Sequence, residues 1–209
     1  KATMGGAQKL YQEGKITYMR TDSVNLSGQA LSQITNYVTA TYGKEYHQFR
    51  TYKTKSSGAQ EAHEAIRPTD VSVEKASSDA YNQKLYNLIR NRALASQMAP
   101  AKLEKTTITI AISGNKEVLE AKGEVILFDG FLKVYGTNKK EDDILPPVAA
   151  GDELKMETAT AKQVFARPPA RFSEGALVKK LEDLGIGRPS TYATIINTVQ
   201  VRGYAVKGE

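Results

Sequence analysis

The sequence predicts an α+β protein of several domains: a helical domain, an antiparallel β domain and a C-terminal helix-turn-helix-like segment. Three observations lead to this prediction. Apolar residues recur at three- and four-residue spacing up to Met98, alternate with polar residues over 105–113, and return to helical spacing after Pro169. We therefore divide the chain into residues 1–101, 102–167 and 168–209.

The first of these regions contains three predicted helices, each with an apolar stripe and a glycine or proline near its end. They cover residues 3–13, a stretch from the N-cap Ser27 to Tyr42, and residues 78–98. Between the first two, residues 16–19 are predicted to be extended and residues 20–23 to turn. The inner face of the third helix is predicted to comprise five residues: Tyr81, Leu85, Leu88, Ile89 and Ala95.

The second region has the alternation typical of β-strands. Strands are predicted at residues 105–113, 117–121, 124–128, 131–135 and 152–158. The acidic run at residues 141–143 has adjacent carboxylates, which favour a metal, but no other ligands lie near it in the sequence. We therefore expect this run to be solvated.

The third region predicts two helices, one capped by Ser173 and ending near Gly185, the other at residues 191–202. Ser190 and Thr191 would lie at the second helix's N-terminus, where free N–H groups favour a phosphate. Arg188 is beside that position, and Arg202, about three turns further on, would need a neighbouring phosphate. An ordinary helix hairpin with a capped second helix explains the same pattern.

Residues 16–23 (ITYMRTDS) place Tyr18, Arg20 and Asp22 at alternate positions, so their side chains could converge on one side of an extended segment. A phenol beside a guanidinium is a plausible nucleophile toward phosphate, because arginine holds anionic oxygens at two points. A half-buried strand with solvated Arg and Asp is the alternative. His63 can donate or exchange a proton near a phosphate; alternatively it is a surface or structural residue.

Residues 44–58 mix basic and aromatic side chains without clear periodicity. Such a mixture can bind single-stranded nucleic acid, and it is equally typical of a solvated surface loop. The chain's 29 Lys and Arg against 23 Asp and Glu give a net charge of +6, which is compatible with a polyanionic partner.

The composition also limits the class of protein. The absence of cysteine excludes disulfides and thiolate metal sites. No apolar run is long enough to span a bilayer and no signal-peptide pattern is present, so we expect a soluble, cytoplasmic protein. The chain begins at Lys1 inside a helix-like pattern, from which we expect it to be a piece of a longer protein.

Three segments resemble signatures of the type IA DNA topoisomerase family, in the bacterial topoisomerase I form. They are residues 16–23 (ITYMRTDS), 60–68 (QEAHEAIRP) and 185–193 (GIGRPSTYA). The segments occur in the family's order, and Met19 is similar to the bacterial topoisomerase I form. The resemblance implies that the β domain is part of an arch and that the third region belongs to a domain cradling single-stranded DNA.

The resemblance also implies a reaction. Tyr18 would attack a DNA phosphodiester to form a 5′-phosphotyrosine, and religation after strand passage would relax negative supercoils without ATP. Arg20 would stabilise the phosphoryl oxygens, Asp22 would orient Arg20, and His63 would position the phosphate or transfer a proton. The DNA-contacting residues implied by the resemblance are Gln8, Arg67, Arg188, Ser190, Thr191 and Arg202.

The resemblance further implies Mg²⁺, held by a TOPRIM domain whose acidic cluster this sequence lacks, so no metal ligand is assigned here. We expect the chain alone to cleave DNA little or not at all. The implied partners are single-stranded DNA and negatively supercoiled duplex, bound by a monomer at the bacterial nucleoid. Two alternatives remain: a non-catalytic single-stranded DNA-binding module, and a structural fragment with a buried Tyr18.

Overall fold

The computed structural model describes residues 2–52, 63–136 and 144–208. Within these ranges the chain has five α-helices, two short 3₁₀ helices and one antiparallel sheet of two strands. The α+β class predicted from the sequence is therefore confirmed. The helices are α1 (Ala2–Gln12), α2 (Gly28–Thr41), α3 (Ala80–Ser96), α4 (Glu174–Asp183) and α5 (Tyr192–Val201). The strands are β1 (Lys102–Ala111) and β2 (Val118–Phe128), and the 3₁₀ helices are Lys44–Tyr46 and Gly130–Val134.

Two predicted helix caps are present. The Ser27 hydroxyl accepts a hydrogen bond from the Ala30 N–H at the start of α2 (3.3 Å), and the Ser173 hydroxyl accepts one from the Ala176 N–H in α4 (3.1 Å). Each bond satisfies a backbone donor that has no partner inside its helix.

The helical region contains two apolar clusters. The first joins α2 to α3 through Ile34, Val38, Val71, Ala93, Leu94 and Met98. The second joins α1 to α3 through Ala7, Leu10, Ile16, Met19 and Tyr86. Since burying a large apolar side chain contributes about 1.5–3 kcal/mol, Ile16 and Met19 anchor the backbone on both sides of Tyr18.

The predicted inner face of α3 is wrong at two positions. Tyr81 and Leu88 are 48% and 62% exposed, whereas Tyr86 and Arg90 are buried. The two buried residues satisfy their polar groups with backbone carbonyls: the Tyr86 hydroxyl donates to Val73 O (2.8 Å) and the Arg90 Nε donates to Val71 O (2.8 Å). A polar group that keeps a hydrogen-bond partner can be buried at little cost. Tyr86 and Arg90 can therefore lie on the buried face of α3.

The predicted β domain contains a single hairpin in the part of the chain that the structure describes. The predicted strands at 117–121 and 124–128 form one continuous strand, β2, which pairs antiparallel with β1 from Lys102–Phe128 to Ala111–Val118. The strand predicted at 131–135 is wrong, because residues Gly130–Val134 form a 3₁₀ helix. The strand predicted at 152–158 is also wrong, because those residues form no strand and pair with no other described segment.

The base of the hairpin is tied to the helical region. Gly130 has a φ of +50°, and the Phe131 N–H donates to Ala99 O (2.9 Å). The Tyr46 hydroxyl donates to Asp129 Oδ1 (2.7 Å), a bond that raises the pKa of Tyr46 and lowers that of Asp129. These contacts turn the chain back toward α3 at residues 131–135, the segment that was predicted to be a further strand.

The C-terminal region is a helix hairpin, with α4 and α5 joined by residues 184–191. Gly185 has a φ of +68°, and the Ile186 N–H bonds back to Leu181 O (2.8 Å), so α4 ends where the sequence predicts. The acidic run at 141–143, the second half of the 44–58 segment and residues 60–62 of the second motif lie outside the described residues. No described helix is long and apolar enough to cross a membrane.

Candidate active site

Two of the sequence motifs lie side by side. The Thr17 N–H donates to Arg67 O (2.9 Å), the Thr69 N–H donates to Lys15 O (3.1 Å), and Ile16 forms an antiparallel bridge with Pro68. The extended segment predicted at 16–19 is thus reduced to one bridge, followed by bends at Met19 and Arg20. This short pairing brings motifs about 45 residues apart into register.

The Thr17 side chain adds a second link between the same motifs. Its hydroxyl donates to Ala65 O (2.8 Å) and accepts from the Arg67 N–H (2.9 Å). Because residues 65–67 are bonded directly to the residue before Tyr18, His63 is held close to that tyrosine. Sequence reasoning missed Thr17, and a threonine inside a strand-like pattern gives no signal of such a role.

The Tyr18 ring packs between two aromatic side chains. Its centroid lies 5.2 Å from that of His63 at an interplanar angle of 45°, and 5.3 Å from that of Tyr11 in an edge-on arrangement at 66°. Both separations are within the range of favourable aromatic pairs. Tyr18 is therefore half-buried in a defined position, with His63 as its exposed neighbour.

A cavity of about 230 Å³ brings the three motifs together. It is lined by Tyr18, Arg20, Asp22, His63, Arg188, Pro189 and Ser190. The alternate residues of the first motif therefore do share one space, as their spacing predicted. At about 30 Å³ for each water, the cavity has room for about eight waters, which is enough for a phosphodiester group.

The charges around this cavity favour an anion. Two guanidinium groups, from Arg20 and Arg188, face one carboxylate, from Asp22. Guanidinium is the side chain best suited to hold two oxygens of one phosphate. The cavity can therefore bind a phosphate within reach of the Tyr18 hydroxyl and the His63 ring.

The third motif reaches this cavity through a tight turn. Gly187 has a φ of +78°, which strains any other residue, and a Cβ there would lie 2.6 Å from Ile195 Cδ1, so the Ile195 side chain would have to shift. The Thr191 hydroxyl accepts from the Arg188 N–H (2.8 Å). These features aim Arg188 at the cavity, while the hydroxyl of Thr191 closes the turn and makes no capping bond to α5.

Of the six residues expected to contact DNA, four do not line this cavity: Gln8, Arg67, Thr191 and Arg202. Arg67 donates from Nε and Nη2 to the two carboxylate oxygens of Glu64 (3.1 and 2.8 Å), and its side chain is 11% exposed. Gln8 is half-buried on α1, and Arg202 is exposed at the end of α5. For all six residues, contact with DNA stays a prediction.

Glu64 holds the second motif in place. Burial raises the pKa of its carboxyl, but hydrogen bonds from Arg67 and Ser27 outweigh burial, so the pKa is lowered overall. Since Ser27 begins α2, this carboxylate joins the second motif to the start of that helix. Tyr192, on α5, has a pKa that is shifted upward instead. Burial of its hydroxyl is the largest cause, and the negative charges of Glu182 and Asp22 add to it.

Sequence reasoning also missed Tyr11 and Pro189, which respectively contact Tyr18 and line the cavity. Pro189 lies between two residues of the third motif, so its position was a usable signal. Tyr11 lies in the apolar stripe of the first predicted helix, a pattern that gives no signal of a contact with Tyr18. Among the residues that the structure describes, no group of three or more His, Asp or Glu side chains is placed to hold a metal ion.

Comparisons with known proteins agree with these motifs. A family model described as "DNA topoisomerase" matches residues 1–209. DNA topoisomerase 1 of Vibrio cholerae is 50% identical over 212 residues, and that of Escherichia coli is 49% identical over 211 residues. Each alignment covers 98% of this chain and 24% of the relative, so the chain spans about a quarter of the length of these curated relatives.

A solved structure is similar over nearly the whole chain. The full-length topoisomerase I from Thermotoga maritima matches with a TM-score of 0.78 and 34% sequence identity. The match covers 99% of this chain and 35% of that one.

Proposed function

The chain belongs to the bacterial DNA topoisomerase I family, and on that premise we propose that it carries the nucleophile and part of the phosphate-binding site of a type IA topoisomerase. One observation carries this proposal. A single cavity collects Tyr18, Arg20, His63 and Arg188 from segments up to 170 residues apart in the sequence. A hydroxyl nucleophile, two cationic groups and a proton-transfer group are the parts that a phosphoryl transfer to tyrosine needs.

The proposed reaction has two opposite steps. The Tyr18 oxygen attacks the phosphorus of a phosphodiester in single-stranded DNA, and the bond from phosphorus to the 3′ oxygen breaks. The phenolic proton passes to a base, and the 3′ oxygen takes a proton from a general acid and leaves as a hydroxyl, with the 5′ phosphate esterified to Tyr18. After another strand passes through the gap, the 3′ hydroxyl attacks and restores the original bond. One ester replaces another, so no ATP is consumed.

The side chains around Tyr18 have distinct proposed roles. A phenol is mostly protonated at neutral pH, so His63, next to the Tyr18 ring, is placed to position the phosphate or to transfer a proton. Arg20 stabilises the charge that develops on the phosphoryl oxygens. Asp22, on the same cavity, orients Arg20.

The C-terminal helix hairpin is proposed to act as a helix-turn-helix-like support for the strand. Arg188 and Ser190 reach the cavity from the turn before α5, whose N-terminal N–H groups favour a phosphate. In this proposal the hairpin contributes one wall of the site, and the helical region carrying Tyr18 contributes the other. The proposed domains have matching roles: residues 1–101 carry Tyr18, residues 102–167 form part of the arch, and residues 168–209 support the DNA strand.

The proposal includes Mg²⁺ only as an expectation from the resemblance. The described residues contain no ligand group that fits the ion, so no step above depends on it. By the same resemblance we place the protein in the bacterial cytoplasm at the nucleoid, acting as a monomer on single-stranded and negatively supercoiled DNA.

The test uses this chain in two settings: alone, and in a chimera in which it replaces the matching quarter of Escherichia coli DNA topoisomerase 1. We expect the chimera to relax a negatively supercoiled plasmid and to form a covalent adduct with a labelled single strand. Tyr18→Phe should abolish the adduct and relaxation while leaving single-strand binding nearly unchanged. Tyr11→Phe is the matched control, because it removes a hydroxyl from the ring that packs against Tyr18.

An adduct that persists in the Tyr18→Phe chimera would overturn the assignment of the nucleophile. The chain alone is expected to bind single strands weakly, in a manner sensitive to salt, and to cleave them little or not at all. Efficient plasmid relaxation by these 209 residues alone would contradict the proposal that further catalytic groups come from elsewhere.

A further inference from the structure

A second cavity, of about 360 Å³, adjoins the candidate active site. Asp22 lines the first cavity and the next residue, Ser23, lines the second. Neighbouring Cα atoms are 3.8 Å apart, so the two spaces share the wall formed by the first motif. The far wall of the second cavity consists of α3 and the segment that follows the 3₁₀ helix Lys44–Tyr46.

This second cavity is cationic. Arg50 and Arg92 line it, and no acidic side chain is found among the described residues of its wall. Arg92 is exposed on α3 and makes no ion pair within the ranges that the structure describes. Arg50 likewise makes no ion pair with a described residue, and two such guanidinium groups on one concave surface favour an anion with several oxygens, such as a phosphate.

Arg50 is held in place by a buried glutamine. The Arg50 N–H donates to Gln97 Oε1 (3.0 Å), and Gln97 Nε2 donates back to Arg50 O (3.0 Å). Gln97 is 1% exposed, so its amide is committed to this contact. The backbone that carries Arg50 is therefore fixed against the end of α3, and its side chain starts from a defined position.

The same cavity has an aromatic wall. The Tyr52 hydroxyl donates to Ser96 O (2.8 Å), which sets the orientation of a ring that is still 40% exposed. Phe131, which is partly buried against the first apolar cluster, also lines the cavity. An exposed aromatic ring such as that of Tyr52 beside cationic groups is the combination that binds unpaired bases, because a base stacks on the ring while its phosphate contacts the cation.

We propose that this second cavity is a nucleotide site in which Arg50 and Arg92 bind a phosphate and Tyr52 and Phe131 contact the base. The proposal rests on the proposed function for its biological ligand, a nucleotide of the DNA strand held near Tyr18. It gives a role to the described half of the basic and aromatic segment at 44–58, which the reaction at Tyr18 does not use. A free nucleotide has the same chemistry, and the experiment separates the two sources.

The experiment measures binding of two probes to the 209-residue chain: a fluorescent oligothymidylate and free thymidine 5′-monophosphate. We expect Arg92→Ala to weaken oligothymidylate binding roughly five- to tenfold and to lower the salt slope by about one. Arg92→Lys should retain most of the affinity, and Arg171→Ala, which removes an exposed arginine outside the cavity, is the matched control. A thermal melt of each variant excludes unfolding as the cause.

A second readout locates the contact. An oligonucleotide carrying 5-iododeoxyuridine should crosslink to Tyr52 or Phe131, and Arg92→Ala should reduce the yield. An Arg92-dependent loss with both probes, or with the oligonucleotide alone, supports a site for the strand; loss with the monophosphate alone assigns the site to free nucleotides. If Arg92→Ala binds both probes like Arg171→Ala and no crosslink forms at either ring, the proposal is overturned.

The two proposals fail in different ways. Loss of affinity on Arg92→Ala without any adduct at Tyr18 in the chimera would remove the proposed function and leave the nucleotide site. An adduct at Tyr18 with unchanged binding by the Arg92 variants would remove only the nucleotide site.

Discussion

The hydroxyl of Thr17 offers a direct test of what holds the candidate active site together. It makes one hydrogen bond to the Ala65 carbonyl and one from the Arg67 N–H, at 2.8 and 2.9 Å, and both are partly buried. Thr17→Val keeps the shape of the side chain and removes both bonds. At about 1 kcal/mol for each bond, with a further penalty for the backbone groups left without a partner, the folded chain should lose about 2–3 kcal/mol.

The loss should be visible in thermal unfolding. For a chain of this size, 1 kcal/mol corresponds to about 2–4 °C in melting temperature, so Thr17→Val should melt about 5–10 °C below the unchanged protein. The ring-current shift of the His63 imidazole protons should also fall, because the link that holds His63 beside Tyr18 is weakened. Both effects are read from the same samples by calorimetry and NMR.

Thr39→Val is the matched control. The Thr39 hydroxyl bonds to the Thr35 carbonyl within α2 (2.7 Å), so its removal breaks a local contact that contributes little to helix stability. We expect this control to melt close to the unchanged protein. If Thr17→Val melts within about 1 °C of Thr39→Val, and the His63 protons do not shift, the Thr17 hydroxyl does not hold the two motifs together.

Two further predictions concern stability. Gly130→Ala should lower the free energy of unfolding by about 2–4 kcal/mol, because the φ of Gly130 is +50° and a Cβ there would lie 2.5 Å from Ala99 O. Gly114→Ala is the control, because Gly114 has a φ of +76° but no atom within 4 Å of the added Cβ. It should lose only the backbone strain of about 1 kcal/mol. Equal losses in urea unfolding would contradict the close contact. The lowered pKa of Glu64 contributes stability that is complete above the ordinary glutamate pKa of about 4.3 and is lost as the pH falls through the lower folded value. The stability gap between the unchanged chain and Glu64→Gln should therefore shrink at low pH, and a gap independent of pH would refute this.

The sequence predicted the helices well because their signals are local. Ser27 and Ser173 act as caps at the predicted positions, and α4 ends at Gly185. Each signal depends on backbone groups within four residues, so no knowledge of distant parts of the chain is needed.

The β region was predicted poorly because alternation does not show whether a partner strand exists. Residues 152–158 alternate, yet Leu154 and Met156 are 54% and 74% exposed and their backbone has no strand neighbour. At residues 131–135, the decisive features were the positive φ of Gly130 and the bond from Phe131 to Ala99. The second of these depends on a residue 32 positions earlier, which no local pattern contains.

For the candidate site, alternate spacing correctly placed Tyr18, Arg20 and Asp22 on one cavity. No sequence pattern predicted that Arg188 lines the same cavity as Tyr18, because its position depends on how the helix hairpin packs against the first motif. Arg67 shows the opposite limit. The resemblance implies that Arg67 contacts DNA, which stays a prediction, and no pattern predicted that its guanidinium would pair with Glu64, three residues away.

The hairpin of β1 and β2 has a mechanical consequence. Ten paired residues at about 3.4 Å each make a ribbon about 34 Å long, and its base is joined to the helical region through the Tyr46–Asp129 and Phe131–Ala99 bonds. Because the ribbon is this long, a rotation of about 10° at its base would displace its tip by about 6 Å. A change in packing around Ala99 that rotated the base by this angle would therefore move the tip by several ångströms.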